Sequence, residues 1–525
     1  MRRRTFLLSS SALVLAAVLP CGAALAAQDA ATIVLSSEET GAPHNDPIRA
    51  TLLNMTADLI YDRLVALSDE RKYYPHLATS WEEAPDGLSW TFHLRQDVRF
   101  HDGEPFNAQT IAWWIPKFAG SPNEQVANAI ERVVVIDDHT VRFEMKRPDP
   151  NLLYNLASTF MGIPSPKAYD AEGENYGIAV AIGTGAYKLE SFTVGQETVL
   201  VANEDYAWGT ELSVNRTAPT IKRLVFREIS DASTAFLEMN TGGVDMLLDV
   251  PTEFVPQLKA NSQFHVRNFA PTGISYLEFN TSTPHFSDPL VRQAVALAID
   301  QEPIVKAVFN GIGSPAHQFL ISSLEESKVD PKLLIRQDLS KARQLLDQAG
   351  WKAGADGIRV KDGVPLRVKL GASSETAYKR MAEIIQSQLK NVGMAADVNL
   401  YDMASLRDAR TRGEHQLAVA HYDWDNADIL SWFFAARNIP TPNASRWKDP
   451  KSEQLLSDAE THARNWQERI GKFRAYHENL LGNFVFVPLH EFEKTISVNQ
   501  SRLVLPEKIR ESAIGNATFL DAKLV

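Results

Sequence analysis

Residues 86–118 read DGLSWTFHLRQDVRFHDGEPFNAQTIAWWIPKF. Leu88, Trp90, Phe92 and Leu94 alternate with polar residues, the two-residue period of a strand with one face in a core. Val98 and Phe100 continue the extended run, and Asp102-Gly103 is a tight-turn pair. Asn107 stands where a helix N-cap belongs, ahead of AQTIAWWI, and Pro116 ends or kinks that helix. A half-buried strand, a turn and a helix in so short a span point to mixed α/β structure.

Working outward, the pattern repeats. VVVIDDHTVRFEMKRP (133–148) predicts a hairpin turning at Asp-Asp-His, with Val141, Phe143 and Met145 on one face of its second strand. IGTGAYKLESF (182–192) is a glycine-punctuated loop leading into a strand, and TIKRLVFREIS (220–230) is another strand. ASTAFLEMNTGGVDMLLDVP (232–251) predicts a helix stopped at Gly242 and a short strand. A strand, a connection and a helix from Asp288 fill 274–300; an amphipathic helix closed by Gly350 follows at 339–351. A strand covers 364–373, and a helix and a strand cover 378–401. Ile33-Val34-Leu35 is a short buried strand, and Leu52, Met55, Leu59 and Leu64 give 51–67 helical spacing. Strands alternating with helices of this length make α/β units.

The chain has 525 residues, more than one core usually supports, so two or three domains are expected. The hydrophobic fraction of 44% is ample for full-sized cores. MRRRTFLLSSSALVLAAVLPCGAALA (1–26) has the basic start, apolar middle and small-residue end of a secretory signal, with cleavage expected after Ala24-Leu25-Ala26. Arg3-Arg4-Thr5-Phe6-Leu7 is similar to a twin-arginine motif, but Arg2 and Leu8 replace its usual flanking residues, so the ordinary route stays open. The one cysteine, Cys21, lies inside this segment, and Pro20 makes a poor lipobox, so the exported chain has neither disulfides nor thiol chemistry. Loss of three arginines and no acid takes the formal charge from −12 to −15, which argues against nucleic acid and anionic membranes as partners.

These segments resemble the family-5 extracellular solute-binding proteins, the oligopeptide-, dipeptide- and nickel-binding components of bacterial ATP-driven importers. The matching residues run from about Tyr61 to Leu489: WTFHLRQDVRFHDGEPFNA, IGTGAYKL, NEDYAWG, GGVDM, YLEFNT, DPLVRQAVALAID and ARQLLDQAGW, specific in their order and spacing. The resemblance implies a bilobed, periplasmic-binding-protein-like α/β fold, with an extra subdomain on the first lobe and a ligand cleft between the lobes. Mapped here, domain I takes 27–60, 185–274 and 500–525, domain II takes 61–184 and domain III takes 275–499. It also implies a hinge closure over a small molecule, docking on permease subunits in the inner membrane and a cytoplasmic ATPase. A periplasmic monomer without a cofactor is expected.

The richest stretch for chemistry is HYDWDNADILSWFFAARNIPTPN (421–443). On its residues alone it is a strand end, a loop and a short helix, with Asp428 placed to cap ILSWFFAA. A catalytic carboxylate pair finds no supporting acid–base motif, and His421 with Asp423 or Asp425 lacks a recognised metal spacing. The resemblance implies a third role: Asp425 occupies the position whose aspartate meets the ligand's α-ammonium in peptide binders, with residues 421–424 beside the ligand and Tyr422 and Trp424 as flat walls. Loop capping by Asp425 and Asp428 is the competing structural role, and Ile429 stands where the family has proline after the acids.

Further candidates are Trp113 or Trp114 facing the cleft, Tyr276 at the crossing between lobes and Arg446 against a ligand carboxylate. Trp432 fits a core position by helical spacing. Each has a packing or surface role as its alternative. No P-loop, G-x-S-x-G, H-E-x-x-H or C-x-x-C is present, so the chain is not the ATPase and an enzyme reading lacks its chemistry. Peptides are the expected ligand; a nickel chelate held by His421, an opine or an oligosaccharide is the alternative. A secreted hydrolase on the same fold and a chemoreceptor-linked sensor are the other classes.

Overall fold

The computed structural model describes residues 30–35, 41–511 and 514–525. The export signal expected at 1–26, with Cys21, lies outside them. Two large sheets organise the chain. The first has seven strands in the order Phe264–Asn268, Thr495–Asn499, Met246–Leu247, Ala30–Val34, Arg223–Arg227, Glu197–Ala202 and Tyr187–Thr193. Ala30–Val34 runs parallel to both of its neighbours, and the outer pairs are antiparallel. The second sheet has six strands: Ser314–Pro315, Phe486–Phe492, Gly273–Phe279, Leu417–Asp423, Arg367–Ser373 and Ala395–Tyr401. The chain passes from the first sheet to the second at 269–272 and returns at 493–494.

The opening stretch builds a smaller, four-stranded antiparallel sheet in the order Ala78–Glu83, Ser89–Leu94, Thr140–Met145, Ile130–Asp137. Trp90, Phe92 and Leu94 are buried as the alternation requires; Leu88 falls before the strand and is 44% exposed. Asn107 caps Ala108–Trp114 in a full capping box with Thr110, and Pro116 begins a 3-10 turn over Ile115–Phe118. The aromatic residues of this sheet share one continuous core with Leu224 and Phe226 of the seven-stranded sheet. It is therefore an added layer on the first lobe. A separate core fills the second lobe, centred on Phe319, whose ring meets Tyr276, Tyr422, Phe434 and Phe486.

One expected helix is mostly absent. Only Thr56–Ile60 of 51–67 is helical, and Val65–Leu67 is a strand pairing with Tyr73–Pro75. Residues 54–67 are buried on nearly every side, so an apolar run there carries no reliable period. IGTGAYKL has a clear physical reason. Gly185 N–H donates to Ile60 O at 2.9 Å, and a Cβ on Gly183 or Gly185 would overlap the backbone carbonyls of Leu59 and Ile60.

Candidate functional site

A cavity of about 280 Å³ lies between the lobes. First-lobe residues Asp58, Arg63, His76 and Tyr154 line one wall; Asp423, Trp424 and Asp425 line the other. Thr272 and Lys494, one on each crossing segment, also face it. The second-lobe wall is the C-terminal end of the strand Leu417–Asp423, continued one residue by Trp424 N–H donating to Thr272 O at 2.8 Å.

Asp425 is held from the opposite lobe. Arg71 Nη1 donates to its Oδ2 at 2.9 Å and the Tyr154 hydroxyl donates to its Oδ1 at 2.5 Å. Burial opposes the Arg71 charge, but Asp425 beside it raises the guanidinium pKa. Burial pushes the Tyr154 hydroxyl well above its usual pKa, and the Asp425 charge adds to this, so Tyr154 stays a donor. Trp424 meets the Tyr154 ring edge-on at 6.3 Å and donates Nε1–H to Asp428 Oδ1 at 2.7 Å. Burial raises the Asp428 pKa. Asp428 is the N-cap residue of Ile429–Phe434, yet its side chain serves Trp424 and makes no cap bond. Asn426 orders the loop instead: its Oδ1 accepts from Asp428 N and Arg469 Nη2, and its Nδ2 reaches Asn151 Oδ1 of the first lobe at 2.9 Å.

Asp423 forms an ion pair with Lys494 at 2.6 Å, and Asp58 pairs with Arg63. The cavity wall thus carries carboxylates and cations side by side. Behind it, the buried Asp62 accepts from Trp208 Nε1 at 2.8 Å, Thr184 Oγ1 at 3.0 Å and Asn516 Nδ2 at 3.1 Å, with His76 Nε2 at 3.1 Å. Burial alone would raise the Asp62 pKa; the His76 charge and the bonds from His76, Trp208 and Thr184 lower it. Glu511 also lines the cavity, but it is committed to the backbone amides of Gly515, Ala517 and Thr518.

Of the residues singled out in the sequence, Asp423, Trp424 and Asp425 meet at the cavity. The others do not. Tyr422 lies in the second-lobe core and donates its hydroxyl to Phe319 O, because alternate side chains of a strand point to opposite faces. His421 sits outside the lining, its Nδ1 2.7 Å from the Tyr378 hydroxyl. No group of three His, Cys, Asp or Glu side chains able to hold a metal exists among the described residues. Tyr276 is 1% exposed, packed on Phe319 and Phe433. Arg446 has φ 53° and donates to the carbonyls of Arg410, Thr411 and Ala444, which leaves it a backbone tie. Trp113 donates to Asp170 at 3.0 Å on the four-stranded-sheet unit, under the Lys117 ammonium, and Trp114 is core. Trp432 is 43% exposed, not core. Arg71, Tyr154 and Lys494 carry no local sequence signal; each acts through a partner hundreds of residues away or through the crossing itself.

Comparison with known proteins agrees with this geometry. Residues 72–439 match the model of the bacterial extracellular solute-binding proteins, family 5 Middle. The Escherichia coli nickel-binding periplasmic protein is 28% identical over 425 residues, 76% of either chain. The Escherichia coli dipeptide-binding protein is 26% identical over 466 residues, 83% of this chain and 84% of that one. Among solved structures, NikA from Brucella suis in complex with Fe(III)-EDTA superposes with a TM-score of 0.81 at 22% identity, over 94% of this chain and all of that one. The oligopeptide-binding protein AppA from Bacillus subtilis, in complex with a nonapeptide, gives 0.75 at 20%, over 94% and 99%. The two lobes, the added sheet on the first and the cavity between them are those of a bilobed periplasmic binding protein, and the chain belongs to the bacterial extracellular solute-binding proteins of family 5.

Proposed function

We propose that the chain is the periplasmic substrate-binding component of an ATP-driven importer that captures short peptides. The observation that carries the reading is Asp425, a cavity-wall carboxylate whose side chain is 29% exposed. A carboxylate accepts about four hydrogen bonds, and Arg71 and Tyr154 supply two, which leaves capacity for a ligand ammonium. The pair Asp423–Lys494 offers both signs of charge beside it, as a zwitterion needs. The cavity's 280 Å³ lies just below the usual range of about 300–1,000 Å³, which favours two or three residues over a long peptide. The dipeptide-binding relative supports the same class.

Residues 1–26 act as the export signal, and the loaded protein delivers its ligand to inner-membrane permease subunits served by a cytoplasmic ATPase. It turns over no substrate. In this reading the four-stranded-sheet unit belongs with the first lobe, and 269–272 and 493–494 are the hinge. The nickel-binding relative supports one alternative, a metal chelate in the same cavity.

Mass spectrometry of what the protein releases on denaturation, after purification from a periplasm, is the test. Closure slows release, so ligand travels with the protein. A ladder of short peptides is the expected result. A single non-peptide compound or stoichiometric nickel would overturn the peptide reading.

A further inference from the structure

We propose that Arg71 and Tyr154 are positioning residues that latch the lobes through Asp425, so that closing the cleft and orienting this carboxylate are one event. Both Asp425 oxygens accept from first-lobe side chains: Oδ2 from Arg71 and Oδ1 from Tyr154. The first-lobe side is built to present them. Arg71 has φ 60°, a left-handed conformation seldom used by residues other than glycine, in the turn between Val65–Leu67 and Tyr73–Pro75. Ser68 fixes that turn, exchanging backbone bonds with Arg71 and Lys72 at 2.9 Å and accepting Lys72 N–H on its hydroxyl. The guanidinium carbon stands 5.9 Å from the centre of the Tyr154 ring, so the two donors also hold each other.

The second-lobe side is equally anchored. Asn426, next to Asp425, is gripped by Arg469, which pairs with the buried Glu326 at 3.1 Å. Asn426 adds its own bond across to Asn151. Arg71 lies outside the cavity lining while Asp425 faces it, so the guanidinium backs the carboxylate and leaves its inner side to a ligand. When the lobes part, Asp425 loses both donors to water and rotates without restraint. A ligand ammonium therefore meets a fixed carboxylate only as the cleft shuts. The orienting half of this inference rests on the Asp425 role proposed above; the latch does not.

The test is small-angle X-ray scattering on the protein freed of carried ligand by dialysis from denaturant. Arg71→Glu and Asp425→Arg should each shift the radius of gyration to a larger value, and the double reversal R71E/D425R should restore the parental value. A merely structural role predicts no such rescue. Circular dichroism melting checks folding, and Arg71→Gln with Tyr154→Phe gives the same reading if a reversed charge prevents it. Single variants that fold and keep the parental radius overturn the latch. Peptide carried through purification is scored separately. Its absence together with an expanded Arg71 variant sinks the peptide reading and leaves the latch standing.

Discussion

Arg71 and Asp425 are 354 residues apart in the chain and meet at 2.9 Å across the cleft. The contact joins a turn of the first lobe to the end of a central strand of the second. It places a cavity-wall carboxylate under the control of the opposite lobe.

Asp425→Asn keeps the shape of the side chain and removes its charge. Binding of a free-amine dipeptide should weaken by about 1.5–3 kcal/mol, the worth of a hydrogen bond to a charged group. Titration calorimetry with the free and N-acetylated forms measures it. Equal affinity for the two forms would take Asp425 out of the role.

Tyr422→Phe probes the neighbouring residue, which points the other way. It removes the hydroxyl that donates to Phe319 O and should lower stability by about 1 kcal/mol in urea unfolding. Ligand affinity should not change. A loss of affinity without a loss of stability would return Tyr422 to the site.

The buried Glu278 sets an acid limit on the second lobe. Burial would raise its pKa, but Arg410, bonded to both oxygens at 2.8 and 2.9 Å, brings it from the usual 4.5 to about 2. A depressed carboxyl stabilises the fold fully above about pH 4.5, and this contribution drains away as pH falls toward 2. Arg410→Met takes the guanidinium from the buried carboxylate and leaves it His415 Nε2, 3.2 Å from Oε1, at a cost of about 3–5 kcal/mol near neutrality. Unfolding followed against pH should show the parent losing stability on acidification through this window while the variant loses far less.

Gly185→Ala places a methyl group against the Leu59 and Ile60 carbonyls, with backbone on both sides of the overlap. About 1–3 kcal/mol of destabilisation is expected, measured by thermal melting. An unchanged melting temperature would show that the 59–60 segment can move aside.

Much of the fold was legible because its signals are local. Asn107 before an apolar-periodic run, the alternation of Trp90, Phe92 and Leu94, and Gly242 after a helix each report a backbone state within a few residues. The region 51–67 was misleading because burial on all sides erases periodicity. The site was half legible. Asp423, Trp424 and Asp425 stand together in sequence and in the cavity wall. Tyr422 and Asp423 differ by one residue and face opposite ways, a parity that depends on where the strand ends. Tyr276 stands at the crossing between lobes and Arg446 has the charge for a ligand carboxylate, but neither chain position nor charge says where a side chain points. Arg71, Tyr154 and Lys494 owe their place to tertiary geometry alone.

The two crossings at 269–272 and 493–494 also bear on how the chain reaches this state. Gly273 and Phe492, the ends of the second-lobe segment, are paired partners in one sheet, and Asn268 bonds to Glu493, 225 residues away, at 2.9 Å. The strand Thr495–Asn499 must find Phe264–Asn268 to complete the first sheet. Through an unfolded second lobe that is a very long loop to close, with an entropy cost that grows with its length. A second lobe that has already folded holds its own two ends together and reduces the search to a few residues. A folded second lobe therefore turns a long closure into a short one for the host sheet.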